Sequence, residues 1–106
     1  MAEDQATAAL YRALADPTRR TLLDELHERD GQSLFELCTR LAVLHQISSS
    51  RQAVSQHLAV LEEAGLVRSR REGRTKLHFL STAPLRSILE RWPPSPEDRP
   101  DEKEQE

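Results

Sequence analysis

Hydrophobic and polar positions keep a helical period along most of this chain and switch to strand-like alternation once. Ala6, Ala9, Leu10, Ala13 and Leu14 are spaced as one face of a helix over roughly residues 5–15. That face is mostly alanine, which lets another helix approach closely. Asp16-Pro17 predicts a restart, because aspartate accepts backbone N–H groups at a helix start and proline at the first helical position loses no hydrogen bond. Leu22, Leu23 and Leu26 face inward in a second helix running to about Glu28, and Asp30-Gly31 ends it. Ser33 and Glu36 have capping-box spacing and open a third helix, whose apolar face is Leu34, Leu37, Cys38, Leu41 and Leu44. His45 to Ser50 is a polar connection around one apolar anchor, Ile47.

The next stretch organises the chain. Ser49 and Gln52 again have capping-box spacing, and such a cap is worth about 1 kcal/mol. Val54, Leu58 and Leu61 recur as a core-facing stripe, and Gly65 stands where a helix ends in a left-handed residue. The opposite face carries Arg51, Gln52, Ser55, Gln56 and Ala59, with Ser49 and Ser50 at its start. Arginine can fork onto guanine, glutamine can pair bidentately with adenine, and small residues let a helix sit deep in a major groove. By itself this face also suits an ordinary solvated helix. Two helices joined in this way outline a helix-turn-helix, with a connection longer than that of a minimal one.

Past Gly65 the period changes. Leu66 and Val67 begin a strand through about Arg71, Lys76 to Leu80 forms another, and Glu72-Gly73-Arg74-Thr75 is the expected tip. Leu77 and Phe79 alternate with Lys76, His78 and Leu80, as in a half-exposed ribbon. Arg68, Arg70, Arg71, Arg74 and Lys76 make its tip basic. A basic hairpin directly after such a helix predicts a wing; protection of a sheet edge by cations is the plainer reading. Ser81-Thr82-Ala83-Pro84 is expected to cap a last helix with Leu85, Ile88, Leu89 and Trp92 on one face, stopped by Pro93-Pro94. The predicted fold is mostly α with a small β-ribbon, in the order α-α-α-α-β-β-α. It occupies residues 1–92, and residues 93–106 form an acidic, proline-rich tail expected to be disordered.

Composition changes the picture in two places. At 106 residues with 37% hydrophobic content, a single small domain is expected to share core with a second copy. The net charge of -3 argues against a nucleic-acid partner until its distribution is considered. The tail sums to -4 and the rest to +1, while residues 48–80 hold six basic side chains against three acidic ones. The basic charge lies where phosphates would be met. No apolar run is long enough for a span or a signal segment, which points to the cytoplasm.

Catalytic chemistry finds little support. No carboxylate pair, Cys/His couple, Ser/His/Asp set or glycine-rich phosphate loop has mechanistic spacing, so no enzyme and no cofactor are expected. Aromatic residues at 4% disfavour a single-strand binder, which needs stacking platforms. A winged-helix protein-interaction module would call for an acidic or apolar face in place of Arg51, Gln52 and Gln56.

The order of elements resembles the ArsR family of bacterial transcriptional regulators. The matching residues are Leu14-Ala15-Asp16-Pro17-Thr18-Arg19-Arg20, Glu36-Leu37-Cys38, the run from Val54 to Val67, and Arg70-Arg71-Glu72-Gly73-Arg74. The resemblance covers roughly residues 7–92. It implies a winged helix-turn-helix homodimer, built through its first and last helices, that represses by occupying an operator. Ala6, Leu10, Ala13, Leu85, Ile88, Leu89 and Trp92 are the expected interface. A two-fold dimer presents its recognition helices about one DNA turn apart, hence a palindromic site. Many relatives sense thiophilic metals through a Cys-x-Cys pair, but Arg40 replaces the second cysteine here. A lone Cys38 cannot capture a soft metal, and no His or Asp occurs in residues 82–92 for the family's other site. No metal is expected; Cys38 is expected to be a small hydrophobe, with a redox switch as the alternative, and whether any effector exists stays open.

The expected division of labour is direct. Arg51, Gln52, Ser55 and Gln56 are expected to read base edges, Ser49 and Ser50 are expected among the DNA-binding residues, and His57 is structural or a phosphate donor. Arg70, Arg71, Arg74 and Lys76 hold phosphates of double-stranded DNA.

Overall fold

A computed structural model describes residues 2–98; most of the tail expected to be disordered, residues 99–106, lies outside them. Helix α1 spans Ala2–Ala15 and α2 spans Pro17–Glu28. Asp16 caps α2 by accepting from the Arg19 N–H at 3.1 Å, as the Asp-Pro pair predicts. Helix α3, Leu34–His45, opens with the full capping box of Ser33 and Glu36. Helix α4, Arg51–Glu63, follows a connection in which Gln46 takes the left-handed conformation.

One strand was not foreseen. Strand β1, Gln32–Ser33, pairs antiparallel with β3, Thr75–Leu80, which pairs with β2, Val67–Glu72, so the sheet order is β1-β3-β2. Two residues carry no detectable alternation, so only the tertiary pairing reveals β1. The hairpin tip is tighter than expected. Glu72 pairs with Thr75, leaving a two-residue turn of Gly73 and Arg74 with positive φ at Gly73 alone, the type II′ geometry.

Pairing with β1 also reverses the expected faces of β3. His78 is buried at 4% exposure, and its Nδ1 lies 3.0 Å from the Gln32 carbonyl; Leu77 and Phe79 lie half-buried on the outer side. The chain's last helical segment is also shorter than expected. A 3-10 turn at Ala83–Leu85 precedes α5, Arg86–Arg91, and no side chain caps either start.

The core is one cluster. Leu10 and Ala13 from α1 meet Leu22 and Leu26 from α2, Leu37 and Leu41 from α3, Val54, Leu58 and Leu61 from α4, and Leu66 and Val67 at the ribbon. Leu44, expected inside, is 52% exposed. The inward position one turn after Leu41 is taken by His45, whose Nε2 donates to Glu25 at 2.7 Å. Gly65 holds φ +78, and a Cβ there would come within 3.2 Å of Pro84, so the turn from α4 into the ribbon requires glycine.

Candidate nucleic-acid interface

The expected recognition helix starts one residue later than its predicted cap. Ser50, not Ser49, has the extended backbone, and its hydroxyl accepts from the Ala53 N–H at 3.0 Å. The Ser49–Gln52 box does not form, because only the residue directly before the first helical one can turn its hydroxyl onto the free N–H groups. The consequence is that the Gln52 side chain is not used in a cap. Arg51, Gln52, Ser55, Gln56 and Ala59 are all exposed along one side of α4, while Val54, Leu58 and Leu61 are buried on the other. Ser49 is half-buried.

His57 lies off that face. Its Nδ1 is 3.2 Å from an Arg19 guanidinium nitrogen, and since a guanidinium can only donate, Nδ1 accepts. Arg19 donates further to the carbonyls of Ala13 and Arg12, at 3.0 and 2.8 Å, and so ties the end of α1 to α4. A second tie joins Arg12 to Glu63 at 2.9 Å. Arg19 stands in the Asp-Pro motif, but nothing in the sequence signalled its reach to His57.

The ribbon sorts its cations by face. Successive strand residues point to opposite sides, and the register places Arg71 opposite Lys76 on the side of buried Val67 and His78, facing α4. Lys76 lies 3.9 Å from Glu62 of α4, and the Ser69 hydroxyl donates to the same carboxylate at 3.0 Å. Arg68 and Arg70 share the other side. Arg70 pairs with Glu72 at 2.9 Å and stacks 4.6 Å above the Phe79 ring, so it is committed within the wing, away from the helix it was expected to assist. Among the described residues, Arg51, Arg71 and Arg74 have no acidic partner.

Between helix and wing runs a cleft of about 390 Å³ lined by Phe35, Arg51, Ser55, Arg74, Thr75 and Lys76. Its cations come from two elements far apart in sequence and are brought together by the fold. An open groove with unpaired guanidiniums on both walls can take a chain of phosphates.

Between α2 and α3 lies a polar cluster that sequence reasoning missed. Glu25 is buried, with its carboxylate held by Arg40 and His45 of α3. Burial resists ionisation of Glu25, yet hydrogen bonds from Arg40 and His45 outweigh it and hold the carboxyl below its ordinary value. The Gln32 amide donates to the carbonyls of Glu25 and Arg29 at 3.2 and 2.8 Å, linking α2 to β1. Arg40, which stands where the metal-sensing relatives carry their second cysteine, is thus a structural cation. Cys38 is half-buried against the core, and burial pushes its thiol up against the lowering influence of Arg51. Both features oppose the reactive thiolate that a redox switch needs.

A helix-turn-helix domain model matches residues 14–70, more than half of the chain. The chain belongs to the ArsR family of winged helix-turn-helix regulators. The uncharacterised HTH-type transcriptional regulator YuzN of Bacillus subtilis is 45% identical over 84 residues, covering 79% of this chain and 91% of YuzN. The arsenical resistance operon repressor of Escherichia coli is 35% identical over 72 residues, 68% of this chain and 56% of that one. Among solved structures, an ArsR-like transcriptional regulator from Rhodococcus sp. RHA1 superposes with a TM-score of 0.70 at 34% identity, covering 86% and 82% of the two chains. These matches make the chain a DNA-binding transcriptional regulator, in a family whose matched relatives are transcriptional regulators. Among the described residues no helix is long and apolar enough to cross a membrane.

Of the interface expected from the first and last helices, two members are corrected. Leu10 and Ala13 are consumed by the chain's own core, at 2% and 0% exposure, because α1 packs on both α2 and α4. Ala6 is exposed, Leu85 and Ile88 are half-buried, and Leu89 and Trp92 are 56% and 57% exposed. The Trp92 ring lies 6.3 Å from that of Tyr11 on α1, so the ends of the first and last helices form one surface.

Proposed function

We propose that this regulator works as a homodimeric repressor on a palindromic operator. Arg51, Gln52, Ser55 and Gln56 read base edges in the major groove, while Arg71, Arg74 and Lys76 hold phosphates along the wing. The observation that carries this reading is the cleft between α4 and the ribbon, with unpaired Arg51 and Arg74 on opposite walls. Repression is supported by the similarity to the Escherichia coli arsenical operon repressor. Dimerisation is supported by the exposed Leu89 and Trp92 beside α1, apolar area that a monomer leaves in water.

The test is a salt-dependent titration of the protein against its own promoter DNA, with random duplex as control. Footprinting and sedimentation of the same samples complete it. The expected outcome is tight promoter-specific binding by a dimer, a symmetric footprint and reduced transcription in vitro from that promoter. Monomeric binding or an asymmetric footprint overturns the dimer-on-palindrome reading, and increased transcription overturns repression.

A further inference from the structure

Phe35 is the third residue of the capping box that opens α3, and it is 66% exposed. Its neighbours Leu34 and Leu37 pack on the core or within it, so the helix does not need this ring for its own burial. The ring instead lines the cleft between α4 and the wing, in company with Arg51, Arg74 and Lys76. Leu34 and Leu58 also line the groove, but Leu58 is buried and Leu34 partly so, which leaves Phe35 as its exposed apolar side chain. Of the four side chains proposed to read bases, Arg51 and Ser55 stand on the helix wall of that groove, and Gln52 and Gln56 do not line it. Along the wing wall, where Arg74 and Lys76 stand, a bound strand presents its backbone, and the apolar part of a DNA backbone is the deoxyribose between successive phosphates.

We infer that Phe35 is a positioning residue for DNA, packing its ring on a deoxyribose of the strand whose phosphates Arg74 and Lys76 hold. This rests on the proposed cleft reading and adds to it an uncharged contact. Phosphate contacts release counterions and so set the slope of affinity against salt. A ring on a sugar releases none. Its loss lowers affinity by the same factor at every salt concentration, and on every sequence, because all deoxyriboses are alike. Burying part of a phenylalanine on association corresponds to about a five- to tenfold change in affinity.

The experiment measures salt-dependent binding of the full chain to promoter and random duplex for the unaltered protein, Phe35→Ala, Phe35→Leu and Arg74→Ala, with thermal melts as a folding check. The inference expects parallel salt lines for Phe35→Ala, displaced by about five- to tenfold on both DNAs. It also expects recovery of most affinity in Phe35→Leu and an unchanged melting midpoint. Unchanged affinity in Phe35→Ala overturns it. So does an altered salt slope, which would mean the ring acts by holding the cations, and so does a loss confined to one base position. Arg74→Ala separates the two readings. If its slope stays that of the unaltered protein, the cleft is not the phosphate path and both fall. If its slope drops while Phe35→Ala binds normally, only the inference about Phe35 fails.

Discussion

The Glu25 cluster and the wing-helix cleft are both built from charges, yet they have opposite fates. Glu25 is 3% exposed and meets Arg40 and His45 within its own chain, with the backbone around it tied by Gln32. Arg51, Arg71 and Arg74 stand exposed without an acidic partner among the described residues. A buried charge without a counter-charge costs several kcal/mol, so the first group must be satisfied internally. An exposed cation is hydrated at small cost and can be left open for another molecule. Arg70 shows that residue type alone does not decide. It lies one position from Arg71, yet Glu72 and Phe79 absorb it.

The contrast is broken most severely at its buried side. Glu25→Ala leaves Arg40 and His45 facing each other without a carboxylate and is expected to cost about 3 kcal/mol of stability, read by urea or thermal unfolding. A protein that unfolds at an unchanged midpoint would mean that water already shares the cluster. Because the folded Glu25 carboxyl sits below its ordinary value of 4.5, its contribution is present above that value and is lost as pH falls through the folded one. Unfolding midpoints measured down the acid limb should therefore fall less steeply for Glu25→Gln than for the unaltered protein.

At the open side, Gln52→Ala or Gln56→Ala is expected to relax preference at one operator position by about 1–3 kcal/mol, measured by competition with singly substituted duplexes. Arg74 and Arg70 then test whether pairing within the protein distinguishes neighbours on one ribbon. Arg74→Ala should lower the salt slope by about one unit for all sequences, whereas Arg70→Ala should leave the slope alone. Equal slopes for the two variants would abolish the distinction between faces. The smallest effect belongs to the exposed Arg12–Glu63 pair. Arg12→Ala should change stability by less than about 0.5 kcal/mol in a thermal melt.

Local chemistry made much of this protein readable from its sequence. The Asp16-Pro17 start, the Ser33–Glu36 box, the stripe of Val54, Leu58 and Leu61, and the turn at Gly65 depend on residues a few positions apart, where spacing alone fixes geometry. The exposed face of α4 followed from the same periodicity. Long-range pairing decided the rest. A two-residue β1 has no periodic signature, and its bond to β3 turned His78 inward and Phe79 outward. Packing of α1 on α2 and α4 withdrew Leu10 and Ala13 from any surface. The sequence counted the wing's arginines but could not assign them, because whether a charge is spent or left open depends on what the folded chain places beside it.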